Sequence, residues 1–289
     1  MYRARASLSW LALLVLASGC KHQQSAPPEG AWRDQYIFVG DDASVLVLGV
    51  HRQDSGTAEA KIWQGAGGTW QAVLYRRFDI ARRDAPDLAA TLKRLGRGGV
   101  RASVAQTGAE LTIDLRTPDR AVSLSAAAMR VLAETRDPEG TTRYRAGRVW
   151  VRDGNKQLDG WLIAEQTPPA TPRAPFVDYG DFVFVVTASA AHGVLVAKRS
   201  RRRPQFDHAV TLTQDRVTHT QAVDITVAPA HVDVTLESSA VHHRYPIADR
   251  KTSTGTSPGG RPLVYETLLL AGPEPGVAFV IRPAKEGAQ

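Results

Sequence analysis

The stretch ELTIDLR, residues 110–116, alternates apolar and polar side chains without interruption. Its apolar positions are Leu111, Ile113 and Leu115, and its polar positions are Thr112, Asp114 and Arg116. HVDVTLE, residues 231–237, repeats the pattern with Val232, Val234 and Leu236 on the apolar side. Because successive side chains of a strand point to opposite faces, this period predicts antiparallel strands with one face on a core and one face in water.

The neighbouring segments extend this β pattern along the chain. Short runs rich in Val, Leu, Trp and Tyr are separated by Gly, Asp and Ser clusters: ASVLVLGVH (43–51), AKIW (60–63) and WQAVLYRRF (70–78). Residues 148–166 read as a hairpin whose turn is Asp153-Gly154. One segment departs from the pattern, because leucines at helical spacing and a terminal glycine predict a single helix over residues 86–95. The fold class is therefore predicted to be all-β with one short helix.

A proline-rich segment, TPPATPRAP, divides the chain. Proline cannot donate to a strand ladder, so residues 167–175 are predicted to be an extended linker. The predicted units are a first β domain over residues 32–166, a second β domain over residues 176–283 and a tail over residues 284–289. The two halves are similar in size and both β-rich, which suggests a tandem pair of antiparallel barrels or sandwiches.

The first twenty residues combine Arg3 and Arg5 with a short apolar run over residues 8–16, followed by small residues and then Cys20, the one cysteine in the sequence. The run is too short to span a membrane and is typical of a secretory signal peptide, assigned to residues 1–19. Small residues directly before Cys20 resemble the lipobox of bacterial lipoproteins, which implies that Cys20 is lipidated and that residues 20–31 form a flexible tether. The alternative is an ordinary signal peptide that leaves a free thiol.

Lipidation implies a membrane partner and a location in the cell envelope, anchored by several acyl chains. In Gram-negative lipoproteins, an aspartate directly after the lipidated cysteine retains the protein in the inner membrane. Because Lys21 occupies that position, the sequence implies the outer membrane facing the periplasm if the source is Gram-negative. The formal net charge is +7 for the whole sequence and falls to about +5 without Arg3 and Arg5. This modest charge and the envelope location argue against a nucleic-acid partner. A basic run is a candidate contact for anionic lipid headgroups: Lys198, Arg199, Arg201, Arg202 and Arg203. The alternative for that run is a solvated strand end.

Taken in order, several segments resemble the bacterial tandem lipocalin-like family that includes hydroxyneurosporene synthase (carotenoid hydratase) and AttH-like proteins. The resemblance rests on residues 31–53, 60–73, 182–203 and 224–238, and on Tyr245-Pro246. It implies two consecutive lipocalin-like barrels that enclose or share an apolar cavity. Small barrels of this kind can hold one small ligand, so a lipid or isoprenoid is the expected partner. If a cavity exists, four tryptophans are expected to line it: Trp63, Trp70, Trp150 and Trp161.

Motifs for nucleophilic or metal-dependent catalysis are absent from the sequence: there is no G-x-S-x-G elbow and no H-E-x-x-H pair. Six histidines fall between His192 and His243, but their spacing fits no compact ligand set, so neither a metal nor a cofactor is predicted. A proton relay among them is the alternative. Asp114, Asp224 and Asp233 are the strand carboxyls that could protonate a double bond, although alternation places them on polar faces.

These observations predict an acyl-anchored envelope lipoprotein that binds or carries a hydrophobic small molecule without chemistry of its own. Two alternatives stay open: a hydratase-like enzyme acting on an isoprenoid or lipid double bond, and a structural or assembly protein of the envelope. Catalytic residues are not identified by the sequence. A carboxyl and a histidine that converge on a pocket would favour the enzyme, whereas an apolar pocket alone would favour the carrier.

Overall fold

The computed structural model describes residues 32–52, 57–66, 68–79, 101–117, 120–137, 140–167, 182–200, 207–213, 216–237, 240–256 and 262–284. These ranges contain nineteen β-strands and no α-helix. Within them, no helix has the length and apolar character needed to cross a bilayer. The predicted signal peptide, Cys20, the tether and the helix over residues 86–95 lie outside the described residues. So does the predicted linker after Thr167.

Ten strands before residue 168 form the first antiparallel sheet. Its order is β4-β3-β2-β1-β10-β9-β7-β6-β5, and β8 pairs with β9 beside this path. The strands are β1 (Trp32–Gly40), β2 (Val45–Arg52), β3 (Thr57–Ala66), β4 (Thr69–Asp79), β5 (Arg101–Thr107), β6 (Glu110–Thr117), β7 (Arg120–Ala126), β8 (Arg130–Asp137), β9 (Gly140–Asp153) and β10 (Lys156–Thr167).

Nine strands after residue 181 form the second antiparallel sheet, in the order β14-β13-β12-β11-β19-β18-β17-β16-β15. The strands are β11 (Phe182–Ser189), β12 (Gly193–Ser200), β13 (His208–Thr213), β14 (Arg216–Gln221), β15 (Val223–Val227), β16 (His231–Leu236), β17 (Val241–Thr256), β18 (Pro262–Leu270) and β19 (Gly276–Pro283). In both sheets the strands from the two ends of the unit pair with each other, β1 with β10 and β11 with β19. The predicted all-β class with two antiparallel β domains in tandem is confirmed.

The alternating segments behave as their sequence predicts. Leu111 and Ile113 are buried inside the first sheet, whereas Asp114 is exposed. Val232, Val234 and Leu236 of β16 are buried inside the second sheet. The predicted hairpin is also present, because β9 ends at Asp153, β10 begins at Lys156, and Gly154 supplies the positive φ of 59° that the turn needs.

Buried apolar side chains form three cores. One lies within the first sheet and includes Tyr36, Phe38 and Leu162, and another lies within the second sheet and includes Val183 and Val185. The third contains residues of both sheets, among them Ile37, Ile163, Phe184 and Val210. The two β domains are therefore docked face to face through a shared apolar layer.

Strands β1 and β11 are central to this docking because each is buried on both faces. In β1, Tyr36 and Phe38 face the core of their own sheet, whereas Ile37 and Val39 face the other domain. In β11, Val183 and Val185 point inward, whereas a set of alternate residues faces the first domain: Phe182, Phe184, Val186 and Ala188. A strand covered on both sides reads as a continuous apolar run, which explains YIFV in β1 and FVFVV in β11.

Candidate functional site

A row of three polar side chains crosses the first sheet on the face that meets the second domain. Glu165 of β10 pairs directly with Gln35 of β1 on one side and with Tyr144 of β9 on the other. Residues directly opposite each other in an antiparallel pair project from the same face. Because Tyr144 and Ile163 belong to the interdomain core, Glu165 and Gln35 project into the same layer.

A second row crosses the other sheet opposite the first. Phe184 of β11 pairs with Phe279 of β19 on one side and with Lys198 of β12 on the other, and Lys198 pairs with His208 of β13. Phe184 and Phe279 are members of the interdomain core. The row therefore presents two aromatic rings, an ammonium group and an imidazole to the first domain.

Tyr144 joins the two rows. Its hydroxyl donates a hydrogen bond to Oε1 of Glu165 at 3.4 Å. Its ring stacks against Phe184 with centroids 6.0 Å apart and an angle of 28°, and it meets the ring of His208 edge-on at 5.7 Å. We call Gln35, Tyr144, Glu165, Lys198 and His208 the interdomain polar cluster.

Most of this cluster is removed from water. Gln35 is 2% exposed, Glu165 3% and Lys198 7%, and the Nζ atom of Lys198 lies 5.4 Å above the ring centre of Phe182. Nε2 of Gln35 is buried and has no hydrogen-bond partner among the described residues. An unsatisfied buried donor costs free energy, so the Gln35 amide calls for an explanation beyond packing.

The neighbouring Asp207 shows the same desolvation. Burial raises the pKa of the Asp207 carboxyl, while a hydrogen bond from the backbone N of Ser200, at 2.6 Å, acts in the opposite direction. The charges of Arg199 and Lys198 also lower this pKa. The end of the interface near β12 and β13 therefore carries titratable groups on adjacent strands.

The chemistry available to the interdomain polar cluster is proton transfer. A carboxyl, a phenol, an imidazole and an ammonium group lie among aromatic rings, so the cluster holds groups that can give or take protons. In the described part of the chain, no three His, Cys, Asp or Glu side chains are placed to share a metal ion.

A second polar group lies at one end of the second sheet. Thr187 donates to Oη of Tyr245 at 3.3 Å, and Tyr245 donates to Oε2 of Glu274 at 3.2 Å. Nδ1 of His243 is 3.8 Å from the same Glu274 oxygen, and the His243 ring stacks on Tyr245 with centroids 5.9 Å apart. Burial, more than the nearby Glu274 charge, raises the pKa of Tyr245 above its usual range, so the phenol stays protonated.

Beside this group, a cleft of about 280 Å³ opens where the two domains meet. Its lining includes Gly40 and Asp41 of the first domain and Ser189, His192 and Pro275 of the second. The Asp41 carboxylate accepts two hydrogen bonds from Arg148, at 2.9 and 2.7 Å, and the Arg148 guanidinium lies 5.4 Å from the ring centre of Trp161. A carboxyl and a histidine therefore share this cleft, although the carboxyl is already ion-paired.

The four tryptophans expected at a cavity are in different environments. Trp70 and Trp161 are 4% and 7% exposed and belong to the interdomain core, where Nε1 of Trp161 donates to the carbonyl of Ser189 at 3.0 Å. Trp150 is 45% exposed. Trp63 lies on β3, and its side chain is outside the described residues.

Two residues of the basic run expected at lipid headgroups lie within the described part of the chain, and they point to opposite faces of β12. Lys198 points into the interdomain layer because alternate residues of β12 face the first domain, and it is not available to a membrane in this position. Arg199 points to the other face and forms an ion pair with Asp224, with NH1 and Oδ1 3.3 Å apart. Arg201, Arg202 and Arg203 lie outside the described residues.

The strand aspartates lie away from the interdomain layer, on polar faces as expected. Asp114 is exposed and accepts a hydrogen bond from Ser123 at 2.6 Å, and Asp224 is 56% exposed. Asp233 lies between His231, at 3.1 Å, and the guanidinium of Arg244, at 2.8 Å. The Arg244 hydrogen bond is the main reason that the pKa of Asp233 is lowered.

Sequence reasoning did not identify Glu165, Tyr144 or Gln35 as site residues, and it considered His208 only as one of six histidines in the alternative of a proton relay. A usable signal was present for Glu165, which ends the apolar run WLIA on a strand that was correctly assigned. A carboxyl that continues an apolar run is a candidate for burial with a function. No comparable signal marked Tyr144 or His208, because their positions depend on how the two sheets dock.

The chain was compared with known proteins. No family model matches it, and no curated protein matches it. Among solved structures, kievitone hydratase from Nectria haematococca superimposes with a TM-score of 0.53 at 8% identity, covering 88% of this chain and 89% of that one. An AttH-like protein from Nitrosomonas europaea aligns with a TM-score of 0.44 at 9% identity, covering 87% and 91% of the two chains. At these identities the likeness to the hydratase shows the fold alone. That fold is the tandem lipocalin-like arrangement which the sequence resemblance implied.

Proposed function

We propose that this protein is a hydratase-like enzyme that acts on a hydrophobic small molecule. It adds water to a carbon–carbon double bond, or in the reverse direction removes water from an alcohol to form that double bond. The observation that carries the proposal is the buried contact between the Glu165 carboxyl and the Tyr144 phenol, placed among the aromatic rings of the interdomain layer. The shared fold with kievitone hydratase supports the same reaction class by analogy.

The proposed reaction needs no redox cofactor. Hydration forms one C–O bond and one C–H bond at a double bond and consumes one water molecule, and dehydration reverses both changes. Glu165 exchanges a proton with the reacting water or hydroxyl, and Tyr144, hydrogen-bonded to Glu165, relays or holds that proton. The apolar walls exclude other water, which strengthens the electrostatic interactions inside.

A carrier would not require this arrangement. Binding an apolar ligand is served by an apolar pocket with few polar groups, whereas a desolvated carboxyl and ammonium lower the stability of such a pocket. These observations favour the enzyme over the carrier predicted from the sequence.

The experiment is a hydration assay in H₂¹⁸O on a panel of isoprenoid alkenes, prenylated phenols and conjugated enones, with products detected by mass spectrometry. We expect Glu165→Gln to lower the hydration rate by about 10²- to 10⁴-fold, the usual contribution of a positioned acid–base group. Tyr144→Phe should lower it by a smaller factor, because it keeps the ring packing.

Glu134→Gln is the matched control, because Glu134 forms an exposed ion pair with Arg143 and should leave the rate unchanged. The proposal is rejected if wild-type protein adds ¹⁸O from water to no member of the panel, or if Glu165→Gln is as active as wild type.

We also propose that the enzyme is tethered to the cell envelope through lipid on Cys20. The support is the lipobox-like sequence alone. Cells fed an alkyne-labelled fatty acid should yield labelled wild-type protein in the membrane fraction, whereas Cys20→Ser should be unlabelled. Label on the Cys20→Ser protein would show that the acyl chain is attached at another residue, and the proposal for Cys20 would be rejected.

A further inference from the structure

We infer that the substrate is an α,β-unsaturated carbonyl compound, or the corresponding β-hydroxy carbonyl in the dehydration direction, and that Lys198 binds its carbonyl oxygen. This inference rests on the proposed function and narrows its substrate class. It is carried by the burial of a carboxyl on one sheet and an ammonium on the other, connected by the Glu165–Tyr144 hydrogen bond and the Tyr144–Phe184 stack.

The two chemical routes to hydration develop opposite charges. Protonation of an isolated double bond produces a carbocation, which a nearby ammonium group destabilises. Addition of water to a conjugated enone moves electrons onto the carbonyl oxygen, which an ammonium group stabilises. A buried Lys198 therefore favours the route through an enolate, since charges interact strongly where water is excluded.

The two charged groups stand on different sheets of the interdomain layer. Glu165 stands in the middle of the first row, and Lys198 stands beside Phe184 in the second row. Tyr144 connects the two rows, because its hydroxyl is hydrogen-bonded to Glu165 and its ring stacks on Phe184. Phe279 extends the stack, with its ring centre 6.2 Å from that of Phe184 and 19° between the planes.

The polar neighbours of these charges support the same orientation. His208 pairs with Lys198 across the strands and adds an imidazole group at the carbonyl end. Asp207, which directly precedes His208 in the chain, interacts electrostatically with Lys198, whereas Arg199 points away toward Asp224. Gln35 lies beside Glu165, and its buried, unfilled NH₂ donor is placed to hold the reacting water or hydroxyl.

The step balances without an oxidant or a reductant. Water forms a bond to the β-carbon and gives one proton to the Glu165 carboxylate. The π electrons move through the conjugated system to the carbonyl oxygen, and the resulting enolate is held by the Lys198 ammonium. The α-carbon then takes the proton from Glu165, the carbonyl is restored, and one molecule of water has been added.

An equilibrium measurement tests the oxyanion site without relying on catalysis. The probe is 4-nitrophenol, whose ionised form is a planar aromatic oxyanion with its own absorption band. Titrated into the full chain in detergent, it should bind as the phenolate. Lys198→Met should weaken phenolate binding about tenfold or more, corresponding to at least one pKa unit for the bound phenol. Lys198→Arg should retain most of it, because the charge is kept.

Two further variants separate this effect from general damage. Lys156→Met removes an exposed lysine in the β9–β10 hairpin and should bind the probe as wild type does. Glu165→Gln should bind the phenolate at least as tightly, since a negative charge has left the site. The inference is overturned if wild type does not bind the phenolate, or if Lys198→Met binds it as tightly as wild type at an unchanged circular dichroism spectrum.

The substrate panel distinguishes failure of the inference from failure of the proposed function. Hydration of enones with loss of rate in Lys198→Met supports both. Hydration of isolated alkenes alone, unaffected by Lys198→Met, keeps the hydratase and rejects the enone. Phenolate binding that depends on Lys198, without hydration of any compound, rejects the hydratase and keeps the oxyanion site.

Discussion

Gln35 is the residue whose burial is hardest to explain by stability alone. It is 2% exposed, and its Nε2 atom has no hydrogen-bond partner among the described residues. An unfilled buried donor costs about 1–3 kcal/mol relative to a satisfied one. If the amide serves to position a water or a substrate hydroxyl, the protein keeps this cost for the sake of activity.

We therefore expect Gln35→Leu to stabilise the protein against unfolding and to lower its hydration activity. The unfolding free energy should rise by about 1–2 kcal/mol, because the unfilled donor is replaced by an apolar group of similar size. Urea unfolding measures the first effect, and the ¹⁸O hydration assay measures the second. Gln106→Leu is the control at an exposed glutamine, where the change should stay within about 0.5 kcal/mol. A destabilised Gln35→Leu protein would show that the amide is satisfied in the native state.

At the scale of single elements, Asp249 connects β17 of the second domain to β4 of the first. Its Oδ2 atom accepts a hydrogen bond from the backbone N of Trp70 at 2.6 Å, and its Oδ1 atom accepts one from the backbone N of Arg250 at 2.7 Å. The register of β17 shifts between Ile247 and Asp249, and this bulge lies beside the contact. The Trp70 hydrogen bond is the main reason that the pKa of Asp249 is lowered.

This lowered pKa predicts a dependence of stability on pH. A carboxyl whose pKa is lower in the folded state contributes its full stabilisation above its unfolded pKa of about 3.9 and loses it as the pH falls through the folded value. Asp249→Asn should therefore lower the unfolding free energy by about 2 kcal/mol near neutral pH, the usual worth of a hydrogen bond to a charged group. The gap between Asp249→Asn and wild type should close progressively in acid.

Urea unfolding of both proteins across this pH range checks the prediction. Asp224→Asn, at a carboxyl that is 56% exposed, should show a small difference at every pH. A gap for Asp249→Asn that stays constant down to strong acid would mean that the interdomain hydrogen bond does not depend on the carboxylate charge.

The strands could be predicted from the sequence, but the surfaces that pack against their second faces could not. Alternation in ELTIDLR and HVDVTLE fixes which side chains face the core of their own sheet. FVFVV in β11 reads as a strand, yet nothing local states that its second face covers β1 of another domain. The same holds for the candidate site, because Glu165 and Lys198 lie on different domains and no spacing in the chain relates them.

At the scale of the whole molecule, the shared core should make the two domains unfold together. Phe184 belongs to the second sheet, but its ring packs against Tyr144 of the first. Neither sheet can lose this layer without exposing apolar residues of the other, among them Ile163 and Val210. We therefore expect a single cooperative transition for residues 32–284 rather than one for each domain.

Every tryptophan precedes residue 168, so tryptophan fluorescence follows the first domain, and hydrogen exchange of peptides from β11 to β19 follows the second. Phe184→Ala should lower the unfolding free energy by about 3–5 kcal/mol by both probes.

Val234→Ala is the sharper variant, because Val234 lies in the core of the second sheet and outside the shared layer. If the domains are coupled, Val234→Ala must shift the tryptophan transition too, by about 2 kcal/mol. A tryptophan transition that ignores Val234→Ala while the amides of the second sheet exchange faster would show that the domains unfold independently. The interdomain polar cluster would then have to open and close with them.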